Sequence, residues 1–195
     1  MLLAYGGLRW GEVSALRRRH VDLLHGRIRV EDSVVEIDGH MVSGSTKSGH
    51  SRTISVPAFV LDELTGHMGR FVDPVPDALV FTSPQGDMMR NRNFRRDVWE
   101  PALKTSALGH VRIHDLRHTC ASFLIQIGAH PKAIQQQLGH ASIDVTMNVY
   151  GHLLDEHMDE VAAKVNEAFS GLHPGTVGPA RMSTASAVLK AARES

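Results

Sequence analysis

The sequence holds one cysteine, Cys120, in 195 residues. No internal disulfide can form, and a cytoplasmic protein is the expectation. Its apolar runs are only a few residues long, too short for a membrane span. The start, Met1-Leu2-Leu3-Ala4-Tyr5-Gly6, has neither the basic region nor the long apolar region of a signal peptide. An excess of one charge is also missing: 21 lysines and arginines balance 21 aspartates and glutamates. A neutral sum argues against a nucleic-acid-binding domain, which is usually basic. Several chemical signatures are absent as well. Gly44-Ser45-Thr46-Lys47-Ser48-Gly49 lacks the spacing of a phosphate loop. The 13 histidines include no His-Glu-x-x-His, and His152 and His157 do not share a helix face. One cysteine leaves no cysteine-based zinc site, and no Gly-x-Ser-x-Gly elbow marks an acyl-transfer enzyme. The expectations are no metal, no nucleotide cofactor and no membrane partner.

What is present is ordinary for a globular chain: 42% hydrophobic and 22% charged residues, with material for one domain and a small appendage. The neutral sum conceals a division. Arg90, Arg92, Arg95, Arg96, Lys104, Arg112 and Arg117 face only Asp97, Glu100 and Asp115, and Arg17, Arg18 and Arg19 form a second basic cluster. From Gly151 to Phe169 the sign reverses. The pattern predicts a helix over 11–19 and a small antiparallel sheet of three strands, 27–30, 33–37 and 52–56, with a hairpin turn at Asp38-Gly39. Helices are predicted from Pro57 to about Met68, over 91–103 with a break at Pro101, over 114–127 ended by Gly128, and over 131–138 ended by Gly139. Ser142 starts another, and 155–169 is an amphipathic helix. The fold class is α+β, mostly helical with a small sheet. Residues 1–170 form the domain and 171–195 a flexible tail rich in glycine, proline, serine and alanine.

Five short motifs stand in order. They are Gly7-Leu8-Arg9-Trp10-Gly11-Glu12, Thr46-Lys47-Ser48-Gly49, His114-Asp115-Leu116-Arg117-His118-Thr119, Leu138-Gly139-His140 and Val149-Tyr150-Gly151-His152. Each alone is weak. Together, in order and from Leu3 to about Ala168, the set resembles the tyrosine recombinase (phage integrase) family. The resemblance implies a catalytic domain that breaks and rejoins DNA without ATP or metal, Tyr150 forming a 3′-phosphotyrosyl link and freeing a 5′ hydroxyl. It also implies double-stranded DNA and further protomers as partners, with a tetramer on DNA.

The residue types suit this chemistry on their own terms. Cleaving a phosphodiester builds negative charge on the phosphate oxygens, and arginines offer paired, permanently charged donors, here Arg9 and Arg117. His114 and His140 can donate hydrogen bonds or move protons near neutral pH. Lys47 can protonate the leaving oxygen, and Tyr150 needs a cationic pocket to ionise. Glu12, a turn from Arg9, supports an arginine. Arg17, Arg18, Arg19, Arg95 and Arg96 are candidate phosphate contacts, which position without specifying sequence. Taken singly, Arg9 beside an acid is most often a structural ion pair, Lys47 a solvated hairpin residue and Tyr150 a core aromatic. His118 is read as structural and Cys120 as a small core residue.

Family members carry an N-terminal helical domain that completes a clamp around DNA. Here the match begins almost at residue 1, so the start is read as truncated and the core-binding domain as absent. Half a clamp predicts weak DNA binding that is lost as salt rises. A non-catalytic DNA-binding or protomer-interacting remnant is the alternative reading, and a relaxing topoisomerase a third. The apolar stripe on 155–169 packs either on this chain's core or on a neighbouring protomer.

Overall fold

The computed structural model describes residues 1–45, 51–142 and 144, all within one compact unit spanning Met1–Tyr150. Helix α1 (Leu2–Tyr5) leads through two glycines into α2 (Trp10–Ser14). The helix predicted to reach Arg19 stops at Ser14. Arg17 is extended, with φ −110° and ψ 156°, and forms a β-bridge with Leu79. The Leu16 carbonyl accepts the Val80 N–H at 2.8 Å. Pairing with a distant segment takes the backbone groups that another helical turn would have used, a competition invisible to local propensity.

Strands β1 (Val21–Asp22) and β2 (Arg27–Val30) pair antiparallel. A hairpin follows, β3 (Asp32–Ile37) and β4 (His40–Ser45), and then β5 (Arg52–Ser55) returns to β2. The three-stranded sheet therefore has the order β1-β2-β5, with the hairpin as a separate two-stranded sheet. The predicted turn at Asp38-Gly39 is present, both residues having positive φ. Residues 33–37 were expected in the same sheet as 27–30 and 52–56, but they pair only within the hairpin. The third strand of the main sheet is instead the two-residue β1, too short to show alternation. Period-2 burial is clear elsewhere, with Ile28, Val30 and Ile54 inward and almost wholly buried. The hairpin leans on α2 at Gly11, where a Cβ would lie 2.3 Å from the Val34 carbonyl oxygen. Only glycine allows that approach.

Helix α3 (Ala58–Phe71) starts after Pro57 and buries Val60, Leu64 and Met68, one face at i, i+4 and i+8. With Leu2, Leu8, Val13, Leu16, Ile28, Val30, Ile54 and Val80 they form the main core. Pro101 was expected to break the next helix. Instead α4 (Asn91–Phe94), a π-helical turn over Arg95–Trp99 and α5 (Glu100–Thr105) run on with helical dihedrals. In the π turn the Glu100 N–H reaches back to the Arg95 carbonyl. The wider turn accommodates a proline ring that would otherwise strike the carbonyl four residues earlier. Helices α6 (Asp115–Gln126) and α7 (Pro131–Leu138) agree with expectation, and Gly139 ends α7 at φ 65°. Ser142 Oγ accepts the Asp144 N–H at 3.0 Å, as a helix start should. The rest of that helix, the helix predicted over 155–169 and the domain boundary at 170 lie outside the described residues. Among the described residues no helix is long and apolar enough to cross a membrane.

Candidate active site

Helix α7 ends with carbonyls that no further turn can satisfy, at the negative pole of its dipole. Three arginines from three other elements converge there, on three successive carbonyls. Arg52 of β5 donates through Nε to Gln137 at 3.2 Å, Arg117 of α6 through Nη2 to Leu138, and Arg9 before α2 through Nη2 to Gly139 at 3.2 Å. Arg117 also donates Nη1 to the Gly7 carbonyl. It is 5% exposed, on the α6 face that buries Cys120, Ala121 and Ile125. Two carbonyl partners offset the burial of this guanidinium, and they engage two of its five N–H groups among the described residues.

A single carboxylate stands among them. The Glu12 side chain is wholly buried and receives Arg52 Nη1 and Nη2 at 2.8 Å each, Arg9 Nη1 at 3.0 Å and the Arg9 backbone N–H at 2.8 Å. Burial alone would raise its pKa. The hydrogen bonds and charge of Arg52, then of Arg9, outweigh burial and hold it below its ordinary value. Burial, with the neighbouring Arg9, brings Arg117 down to about 9, and Glu12 opposes that shift. A guanidinium is a permanent cation, so three positive charges surround one negative and the cradle carries an excess of two. It is built to receive an anion.

Two histidines border the cradle. His114 occupies the position before α6 without a side-chain capping bond, its ring 5.0 Å from that of His118 and perpendicular to it. His118, read from sequence as structural, thus touches a candidate site residue. Burial first, then His118 and Arg117, lower the His114 pKa. His140 follows Gly139 directly. Burial, with Arg117, Arg9 and Arg52 nearby, takes it down to about 4, so its imidazole is neutral at pH 7. A groove of about 630 Å³ opens beside Arg117 and His114, and of the five candidate DNA-contact arginines Arg95 lines it. Arg96 lines a different groove and pairs with Asp97 at 2.6 Å. Arg95 pairs with Glu100 at 3.1 Å. Arg17 donates to the Asp77 carbonyl, Arg19 pairs with the Asp77 carboxylate, and the Arg18 backbone N–H bonds Ala78. The cluster 17–19 is therefore held against 76–79. Exposed pairs of this kind add little to stability.

The structure thus brings together Arg9, Glu12, His114, Arg117 and His140, while Lys47 and Tyr150 lie outside the described residues. Sequence reading missed Arg52. One signal was available: Arg52 and Ile54 are two apart on a strand and share its face, and Ile54 is a core residue. A charged residue on a buried face calls for a partner. Among the described residues no three His, Cys, Asp or Glu side chains gather as a metal site requires.

The profile of the phage integrase family matches residues 1–157. The ICEBs1 integrase of Bacillus subtilis strain 168 is 29% identical over 176 residues, covering 83% of this chain and 46% of that protein. Tyrosine recombinase XerC of Chromobacterium violaceum is 29% identical over 168 residues, covering 86% of this chain and 49% of that one. The Tn1549 transposon integrase, solved in complex with transposon right end DNA, shares the fold with a TM-score of 0.70. There the identity is 22%, with 86% of this chain and 56% of the other covered. The chain spans about half the length of the curated relatives it matches. With the family profile matched along most of its length, this chain belongs to the phage integrase family.

Proposed function

We propose that this chain is the catalytic portion of a site-specific DNA recombinase that cleaves and rejoins strands through a 3′-phosphotyrosyl intermediate. The observation that carries the reading is the cradle itself, three arginines fixed on the end of α7 around one buried carboxylate. Arg9 and Arg117 bind the non-bridging oxygens of the scissile phosphate, where charge grows in the transition state. Donors fixed in advance on such charge are worth about 3 kcal/mol each in other enzymes. The neutral imidazoles of His114 and His140 donate or relay protons beside them.

Tyr150 Oη attacks phosphorus, a bond to the tyrosine oxygen forms, and the bond to the 5′ oxygen breaks. Lys47 protonates that oxygen as it leaves, and the tyrosine proton passes to a neighbouring base. Rejoining is the reverse, with another 5′ hydroxyl as nucleophile. The phosphotyrosyl bond keeps the energy of the phosphodiester, so the balance needs no ATP and no metal. The basic clusters Arg17–Arg19, Arg95 and Arg96 contact flanking phosphates. The partners are duplex DNA and further protomers, assembled as a tetramer on DNA. The solved complex of the Tn1549 integrase with transposon DNA supports the DNA partner. A DNA substrate and a lone cysteine support the cytoplasm as the place of action.

The test is a pool of nicked duplexes with randomised sequence around the nick, incubated with the chain and then denatured. Recovery of a covalent protein–DNA adduct on Tyr150, abolished in Tyr150→Phe, is the expected result. No adduct, or an adduct on another residue, refutes the proposal.

A further inference from the structure

Glu12 has four places to accept hydrogen bonds, and the structure fills all four. Arg52 takes one on each oxygen, and Arg9 takes the other two through its backbone N–H and a single side-chain nitrogen, Nη1. A carboxylate and a guanidinium left alone pair through two parallel bonds. Arg9 does not pair this way with Glu12, because Arg52 already occupies both oxygens. Arg9 Nη2 is therefore free to bond the Gly139 carbonyl. Among the described residues only two of the five N–H groups of its guanidinium are engaged.

Arg52 is itself held closely. Its side chain is 10% exposed, its Nε bonds the Gln137 carbonyl, and a Cβ on Gly139 would lie 2.8 Å from its Cδ, Nε and Nη1. Gly139 thus serves twice, at a left-handed turn and as the floor under Arg52.

We propose that Arg52 is a positioning residue for strand cleavage: by saturating Glu12 it keeps Arg9 from collapsing onto that carboxylate and holds the Arg9 guanidinium open to the phosphate. Arg52 touches no substrate in this scheme. It acts through Glu12 and Arg9, and the inference rests on the cleavage reading given above. Without it, Arg9 rotates to pair bidentately with Glu12 and leaves the Gly139 carbonyl. A misplacement of about 1 Å in such a group costs about 100-fold in rate.

The experiment uses the adduct-forming duplex selected from the randomised pool, in single turnover at saturating DNA, with DNA affinity and circular dichroism measured in parallel. Arg52→Gln is expected to slow adduct formation about 100-fold with affinity within about twofold of wild type. Arg52→Lys, which keeps the charge but not the fork, falls between the two. Glu12→Gln should resemble Arg52→Gln, and the double variant should be no slower than the slower single variant, because the two residues act as a unit. Arg52→Gln that folds and forms adduct within about threefold of wild type overturns the inference, as do single losses that multiply in the double variant. If Arg52→Gln does not fold, the double variant decides, since it removes both partners of the buried pair together and takes from Arg9 its Nη1 anchor on Glu12; a wild-type rate there overturns the inference. Failure of the cleavage reading looks different, because then the wild-type chain itself gives no Tyr150 adduct.

Discussion

At the scale of single residues, the site is an arrangement of charges whose protonation the fold has already chosen. His140 beside three guanidiniums is the clearest case, lowered to about 4 by burial and by Arg117, Arg9 and Arg52. A histidine depressed in the folded state takes up its proton more readily when unfolded. It therefore contributes stability that is complete above about pH 6.5 and is lost as pH falls through about 4. The expected NMR titration of the His140 ring has its midpoint well below that of a free imidazole. Inorganic phosphate in the cradle should move it upward, since an anion offsets the repulsion. A midpoint near 6.5, unmoved by phosphate, would contradict the geometry. Much of the candidate site was legible at this scale: Arg9, Glu12, His114, Arg117 and His140 stand in short motifs and meet in space. Arg52 was not, because its importance comes from Glu12, 40 residues away in sequence, and from the end of α7. No local pattern records such a contact.

At the scale of elements, what positions the site is close backbone approach. Helix α2, carrying Glu12, is pressed against β3 at Gly11. Gly11→Ala places a methyl carbon 2.3 Å from a backbone oxygen, which cannot move without displacing the hairpin. The expected loss is about 1–3 kcal/mol, read as a lower urea midpoint at unchanged slope, together with slower adduct formation because Glu12 shifts. Stability and rate equal to wild type would mean that α2 and β3 are not held this closely. Elements with a strong local signature were readable: α3 from Pro57 and its buried i, i+4 face, α7 from Pro131 and Gly139, and the turn, though not the second strand, of the hairpin from Asp38-Gly39. Those decided by distant pairing were not. Residues after Ser14 leave the helix to pair with 79–80, and the π turn before Pro101 keeps one helix where a break was expected.

At the scale of the molecule, the net charge of zero does not describe what DNA would meet. Several basic residues outside the cradle are tied in exposed ion pairs, as Arg95 is with Glu100, Arg96 with Asp97 and Arg19 with Asp77. DNA binding should therefore be weak and lost as salt rises. In a plot of log affinity against log salt, replacing an arginine that contacts phosphate should reduce the slope by about 0.9. Arg95→Ala, in the groove beside Arg117, is expected to do so. An unchanged slope would take Arg95 off the interface.

The sequence by itself determined which chemistry was open to this protein. Residue types and short-range spacing fix which charges, nucleophiles and turns exist, and five ordered motifs suffice to suggest phosphodiester chemistry. The tertiary structure alone decided how those charges are held. The cradle joins β5, α2, α6 and the end of α7, and its members are separated by up to 130 residues. Whether a buried arginine finds a carbonyl, and whether a carboxylate is shared between two guanidiniums, depends on that distant packing. The free energy of these contacts lies in burial and geometry, which the chain acquires only once it has folded.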